Sequence, residues 1–70
     1  MSYEDEQLVL EYLKAYPNVF VSANEIARKA AGRHRFNEEP HWAQAVLTSL
    51  VDKGVLERDE QGHYRIAPKP

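Results

Sequence analysis

AQAVLTSLVDKGVLERDEQGHYRI, residues 43–66, decides the fold. Its first half sets Ala43, Val46, Leu47, Leu50 and Val51 at helical spacing, so one stripe of an α-helix is apolar and the remainder polar. Gly54 then tolerates the left-handed backbone in which helices commonly stop. Beyond it, Val55-Leu56-Glu57-Arg58 and His63-Tyr64-Arg65-Ile66 flank the polar turn Asp59-Glu60-Gln61-Gly62. Two short runs around a turn that ends in glycine predict a hairpin over about 55–66. Alternation along its strands sends Leu56, Tyr64 and Ile66 inward and leaves Glu57, His63 and Arg65 outside.

Upstream, residues 32–37, Gly-Arg-His-Arg-Phe-Asn, read as a basic loop with one apolar anchor, Phe36. Asn37 is the expected cap of the following helix, with Glu38 and Glu39 at its positive end and Pro40 in its first turn. Further back, Ser22-Ala23-Asn24-Glu25 forms a capping box, in which hydroxyl and carboxylate satisfy free amides at a helix start. That helix is expected to bury Ala23, Ile26, Ala27 and Ala30, to expose Glu25, Arg28 and Lys29, and to stop at Gly32. Val19-Phe20-Val21, set between breakers, reads as a brief strand. A first helix from about Tyr3 to Tyr16 carries Val9, Leu13 and Tyr16 in one stripe, widened by Leu8 and Tyr12. Ser2 reads as its N-cap, Glu4, Asp5 and Glu6 suit its dipole, and Pro17-Asn18 ends it.

A chain of 70 residues makes one domain, near the lower limit for a core without staples. Residues 1–67 are assigned to it, and 68–70 to a tail or the start of a linker. There is no cysteine, so neither a disulfide nor a thiolate metal site contributes, and 43 % apolar residues suffice for a globular core. No apolar run approaches membrane-spanning length, and the acidic N-terminus is the reverse of a secretion signal, which points to the cytoplasm. The net charge of −2 argues against tight nucleic-acid binding by an isolated monomer, because displaced counterions drive much of that affinity. With one apolar stripe per helix, three helices can share a core that the hairpin closes, with Val19–Val21 as a third strand. The expected class is α+β.

Helix, short strand, helix, helix, hairpin is the order found in winged helix-turn-helix transcription regulators, and three stretches resemble that family. Ser22 to Ala27 looks like the start of its second helix. Ala43, Val46, Leu47, Leu50, Lys53, Gly54, Val55 and Leu56 look like the recognition helix running into the wing, and Glu57 to Ile66 like the wing. The resemblance implies a small winged-helix domain of three helices and a two- to three-stranded antiparallel sheet, binding duplex DNA in transcription regulation. The third helix would enter the major groove, where His41, Gln44 and Thr48 meet bases or phosphates. Arg28, Lys29, Arg33, Arg35, Arg58 and Arg65, with His34 and His63, would grip phosphates on either side. The connection from Gly32 to Glu39 exceeds the usual three or four residues, which is enough to reorient the third helix. Trp42 reads first as a core-boundary residue that packs against Phe36 and closes the long connection, since large aromatics are mostly buried. Winged helices also serve as protein-docking modules, and an exposed Trp42 would join Ala45 and Ser49 in the uncharged patch for that alternative. Self-association is a further expectation, because one monomer carries so few cations.

Catalysis finds no support in the residues. His34, His41 and His63 lack metal-ligand spacing, Glu38 with His41 has no second copy, and the three scattered glycines make no phosphate loop. Ser22 serves as a cap and Ser49 lacks a base. No cofactor, metal, small-molecule substrate or membrane partner is expected, and the protein is not expected to be an enzyme.

Overall fold

Val9 and Leu13 stand one helical turn apart, and both are fully buried on the inner stripe of α1 (Tyr3–Lys14). The helix stops short of the expected Tyr16. Its last turn tightens, with the Tyr16 amide donating to the Leu13 carbonyl at 3.0 Å, and Pro17 has no N–H to extend the ladder. The computed structural model describes residues 3–68, so the expected cap Ser2 lies outside the described residues, as do Lys69 and Pro70.

Strand β1 is Val21–Ser22, shifted from the expected 19–21. Only Val21 of that run is fully inside; Phe20 is half-buried and Val19 exposed. Ser22 caps α2 (Ala23–Ala30), its hydroxyl accepting from the Glu25 amide at 3.1 Å. The carboxylate arm of the box instead lies toward Lys29, 3.9 Å away. Ile26 and Ala27 are buried, while Ala23 and Ala30 pack at the margin of the core.

The main correction falls between residues 32 and 42. The expected basic loop is a helix, α3 (Arg33–Glu38), and the next helix begins at Ala43 rather than Glu38, as α4 (Ala43–Asp52). Among the described residues the domain therefore has four helices, not three. Asn37 lies inside α3 and caps nothing, and Pro40 sits in the turn between the two helices. The proline accounts for the break, because a residue preceding proline is pushed out of the helical region. Glu39 has φ −138° and ψ 73°. Although α3 has no buried residue, pairs one turn apart line its side: His34 with Glu38 at 2.8 Å and Arg35 with Glu39 at 2.9 Å.

Helix α4 buries Ala43, Val46, Leu47 and Leu50, as its spacing predicts. At its end the Gly54 amide donates to Val51 and the Val55 amide to Leu50, both at 3.0 Å, a paired closure that requires left-handed backbone at Gly54, where φ is 79°. The hairpin follows as β2 (Leu56–Arg58) and β3 (His63–Ile66), with Leu56 opposite Ile66, Glu57 opposite Arg65 and Arg58 opposite Tyr64. Asp59 holds the turn by accepting from the Gln61 and His63 amides at 2.9 and 2.8 Å. Those hydrogen bonds, that from His63 foremost, keep its carboxyl below the ordinary carboxylate range. Strand β1 pairs antiparallel with β3, giving a three-stranded sheet in the order β1-β3-β2. Val21, Leu56 and Tyr64 form its buried face against the helices. No described helix is long and apolar enough to cross a membrane.

Candidate nucleic-acid interface

Because side chains alternate along a strand, Arg58 shares the inner side of the hairpin with Leu56 and Tyr64, while Glu57, His63 and Arg65 share the outer side. The two hairpin arginines thus leave the sheet on opposite faces. Arg58 joins Thr48, Val51, Asp52 and Tyr64 around one surface depression, so β2 and α4 meet there. Along α4, Gln44, Ala45, Thr48, Ser49 and Asp52 line an adjoining shallow groove. At the start of that helix, His41 and Gln44 meet Asn24 of α2 in a third depression. Gln44 belongs to the last two and Thr48 to the first two, so the surface is continuous. It unites His41, Gln44, Thr48 and Arg58. Exposed Arg28, one turn beyond Asn24, continues the same side of α2.

The other basic residues are mostly engaged. Arg65 donates to Glu57 at 2.8 Å and lies 4.6 Å over the Phe20 ring. Lys29 faces Glu25, His34 bonds Glu38, and His63 stands 4.0 Å from Asp59. Arg35 is committed most completely. Its guanidinium forks onto both oxygens of Asp5 at 2.9 and 3.1 Å, its Nε reaches Glu39 at 2.9 Å, and it stacks 4.8 Å from the Trp42 ring centre. Hydrogen bonding to Asp5 raises the Arg35 pKa further above its already high ordinary value. In return, the Arg35 hydrogen bonds hold Asp5 below the carboxylate range against the opposing effect of burial. Among the described residues, Arg28, Arg33 and Arg58 have no carboxylate within ion-pair distance, although Arg58 is near enough to Asp59 to help lower its pKa.

Trp42 is a core residue, 9 % exposed, with its indole N–H donating to the Ala27 carbonyl at 2.8 Å. The uncharged patch expected for a protein partner thereby loses its aromatic anchor and keeps Ala45 and half-buried Ser49. Asn24 joins the surface without having been singled out as a site residue from the sequence, and buried Tyr64, expected to point inward, reaches only the floor of one depression. The only signal for Asn24 was its place in the first turn of a capped helix. No group of three or more His, Cys, Asp or Glu residues is arranged to hold a metal ion among the described residues.

No protein-family model, curated protein or solved structure matches this chain.

Proposed function

We propose that the chain is a winged-helix domain that binds duplex DNA as a cytoplasmic, transcription-regulator-like module, without catalysis. The element order and the β1-β3-β2 sheet support the winged-helix identity. One observation carries the functional reading: the outward side of α4 and Arg58 of the hairpin line a common depression, so helix and wing offer one surface to one ligand. Gln44 has the paired donor and acceptor that match an adenine edge, and His41 and Thr48 add hydrogen-bonding groups beside it. Ala45 and Ser49 are small enough to let a groove approach. Arg28 and Arg58 flank this strip, where phosphates would run.

The unpaired arginines set the expected strength. Each neutralised phosphate contributes about −0.9 to the slope of log affinity against log salt, so two or three contacts give roughly −2 to −3. Fluorescence anisotropy against a random duplex at two salt concentrations measures that slope. Absence of binding at the lower salt eliminates the proposal.

A second reading, docking to a protein partner or a second copy, is favoured by the groove of Gln44, Ala45, Thr48, Ser49 and Asp52, which holds one acid and no lysine or arginine. Ala45→Arg separates the two. A cation at that point strengthens duplex binding if DNA lies there, and disrupts an uncharged protein contact if it does not.

A further inference from the structure

One string of contacts links all four helices. Asp5 on α1 binds Arg35 on α3 through both carboxylate oxygens; Arg35 lies over the ring of Trp42; and Trp42, at the start of α4, donates to Ala27 on α2. We propose that Arg35 is a positioning residue: acting through Trp42, it sets the angle at which α4 is presented, and it makes no contact with the ligand. The presented surface is taken from the proposed function; the angle itself does not depend on it.

Three observations lead there. First, α4 begins without a side-chain cap, and its N-cap position is Trp42, already in helical conformation at φ −57° and ψ −31°. The usual Ser, Thr, Asp or Asn that fixes the entry of a helix is missing, so the anchoring of the indole takes over that task. Second, the indole is held at its edge by the Ala27 carbonyl and at its face by the guanidinium, which leaves the ring one orientation. Third, α3 buries no residue, so its place depends on Arg35 and half-buried Phe36. The Asp5–Arg35 pair is suited to this work because it is forked and sheltered, with side chains 16 % and 32 % exposed. Exposed single-contact pairs are far weaker constraints.

The test uses Arg35→Lys, which keeps the charge but cannot fork, and Asp5→Asn, which keeps the shape but drops the charge. Residual dipolar couplings of backbone amides in α2 and α4 report the angle between the helices. Duplex titrations at two salt concentrations report the consequence. Both variants should show altered or averaged α4 couplings and about tenfold weaker duplex binding, the scale of one misplaced bidentate base contact. The salt slope of Arg35→Lys should match that of the wild type. Asp5→Asn is the sharper case, since removing an acid from an acidic chain should tighten DNA binding on charge alone, whereas loss of positioning weakens it.

Unchanged couplings in both variants overturn the proposal. So does tighter binding by Asp5→Asn with a slope steeper by about 0.9, which would mean that the released Arg35 reaches a phosphate. Should Arg35→Lys fail to fold, the α4 couplings of Asp5→Asn decide the matter alone, because that variant leaves Trp42 in place and removes the charge that fixes the guanidinium. If the wild-type protein binds no duplex, the proposed function falls, and the couplings alone still judge the positioning role.

Discussion

Replacing Trp42 with phenylalanine removes one buried hydrogen bond and little else. The indole N–H reaches Ala27 at 2.8 Å, and that carbonyl belongs to the last turn of α2, where carbonyls lack partners further along the helix. Leaving such an acceptor buried and unpaired costs about 1–3 kcal/mol. The lost part of the ring adds about 1 kcal/mol at roughly 0.8 kcal/mol per buried methylene-sized group. The sum, about 2–4 kcal/mol, is a large part of the roughly 4–10 kcal/mol available to a domain of this size. With a shift of about 4–8 °C per kcal/mol, the melting temperature should fall by about 8–32 °C. Far-ultraviolet circular dichroism is the appropriate assay, since the substitution removes the only tryptophan. A variant melting within about 3 °C of the wild type would refute the assignment of this residue to the core network. Trp42→Ala, which also opens a cavity worth about 3–5 kcal/mol, should leave the chain largely unfolded at 37 °C, so it cannot serve as a probe of surface docking.

Three further outcomes follow from the geometry. Arg58→Ala should reduce the salt slope of duplex binding by about 0.9, whereas Arg65→Ala, on the opposite face of the hairpin, should leave it unchanged; equal effects in the anisotropy titration would contradict the facial assignment. Asp5 has a lowered pKa because of its Arg35 hydrogen bonds, so its stabilising effect is complete above the unfolded carboxylate pKa near 4 and is lost as pH falls through the lower folded value. The difference in melting temperature between wild type and Asp5→Asn should therefore stay constant from about pH 7 to 5 and shrink in stronger acid; a gap that persists at about pH 2 would rule this out. Gly54 has φ 79° with nothing within 4 Å of a built Cβ, so Gly54→Ala should cost about 1–2 kcal/mol of stability from backbone strain alone, and D-alanine at the same position in a synthetic chain should restore it; a D-alanine chain no more stable than the L form would point to a steric cause instead.

How far the sequence revealed the molecule depended on whether an element was held by apolar periodicity. Helices α1, α2 and α4 were legible from Val9 and Leu13, Ile26 and Ala27, and Val46, Leu47 and Leu50, because burial enforces the repeat. The hairpin was legible from its turn, where Asp59 and Gly62 satisfy specific backbone demands. Helix α3 was not, because Phe36 is its one apolar residue and the rest of it shows no apolar repeat. The sign was present in His34 with Glu38 and Arg35 with Glu39, each spaced by one helical turn, and it was masked by reading the arginines as a phosphate-binding loop. The site was legible only in part for a related reason. Spacing identifies which side chains leave a helix on the same side, as it did for Gln44 and Thr48, but it cannot show that Asp5, thirty residues away, claims Arg35.

That distinction between a charge and an available charge bears on whether an acidic domain can bind DNA at all. The formal balance is nine basic against eleven acidic residues. Yet Glu25, Asp5, Glu39, Glu6 and Glu57 are each turned toward a basic partner, so these acids repel an approaching phosphate less than their number implies, and their partners attract it less. What a ligand on α4 meets is a local field: Arg58 and Asp52 share one depression, and Arg28 stands unpaired along α2. Phosphate attraction from so few arginines steers a duplex onto the surface but does not hold it tightly, so tight binding would require a second copy or an attached domain to multiply the contacts. Discrimination would then rest on Gln44 and Thr48, whose hydrogen bonds depend on angle far more than charge does. On such a surface the orientation of α4 matters more than the count of positive residues.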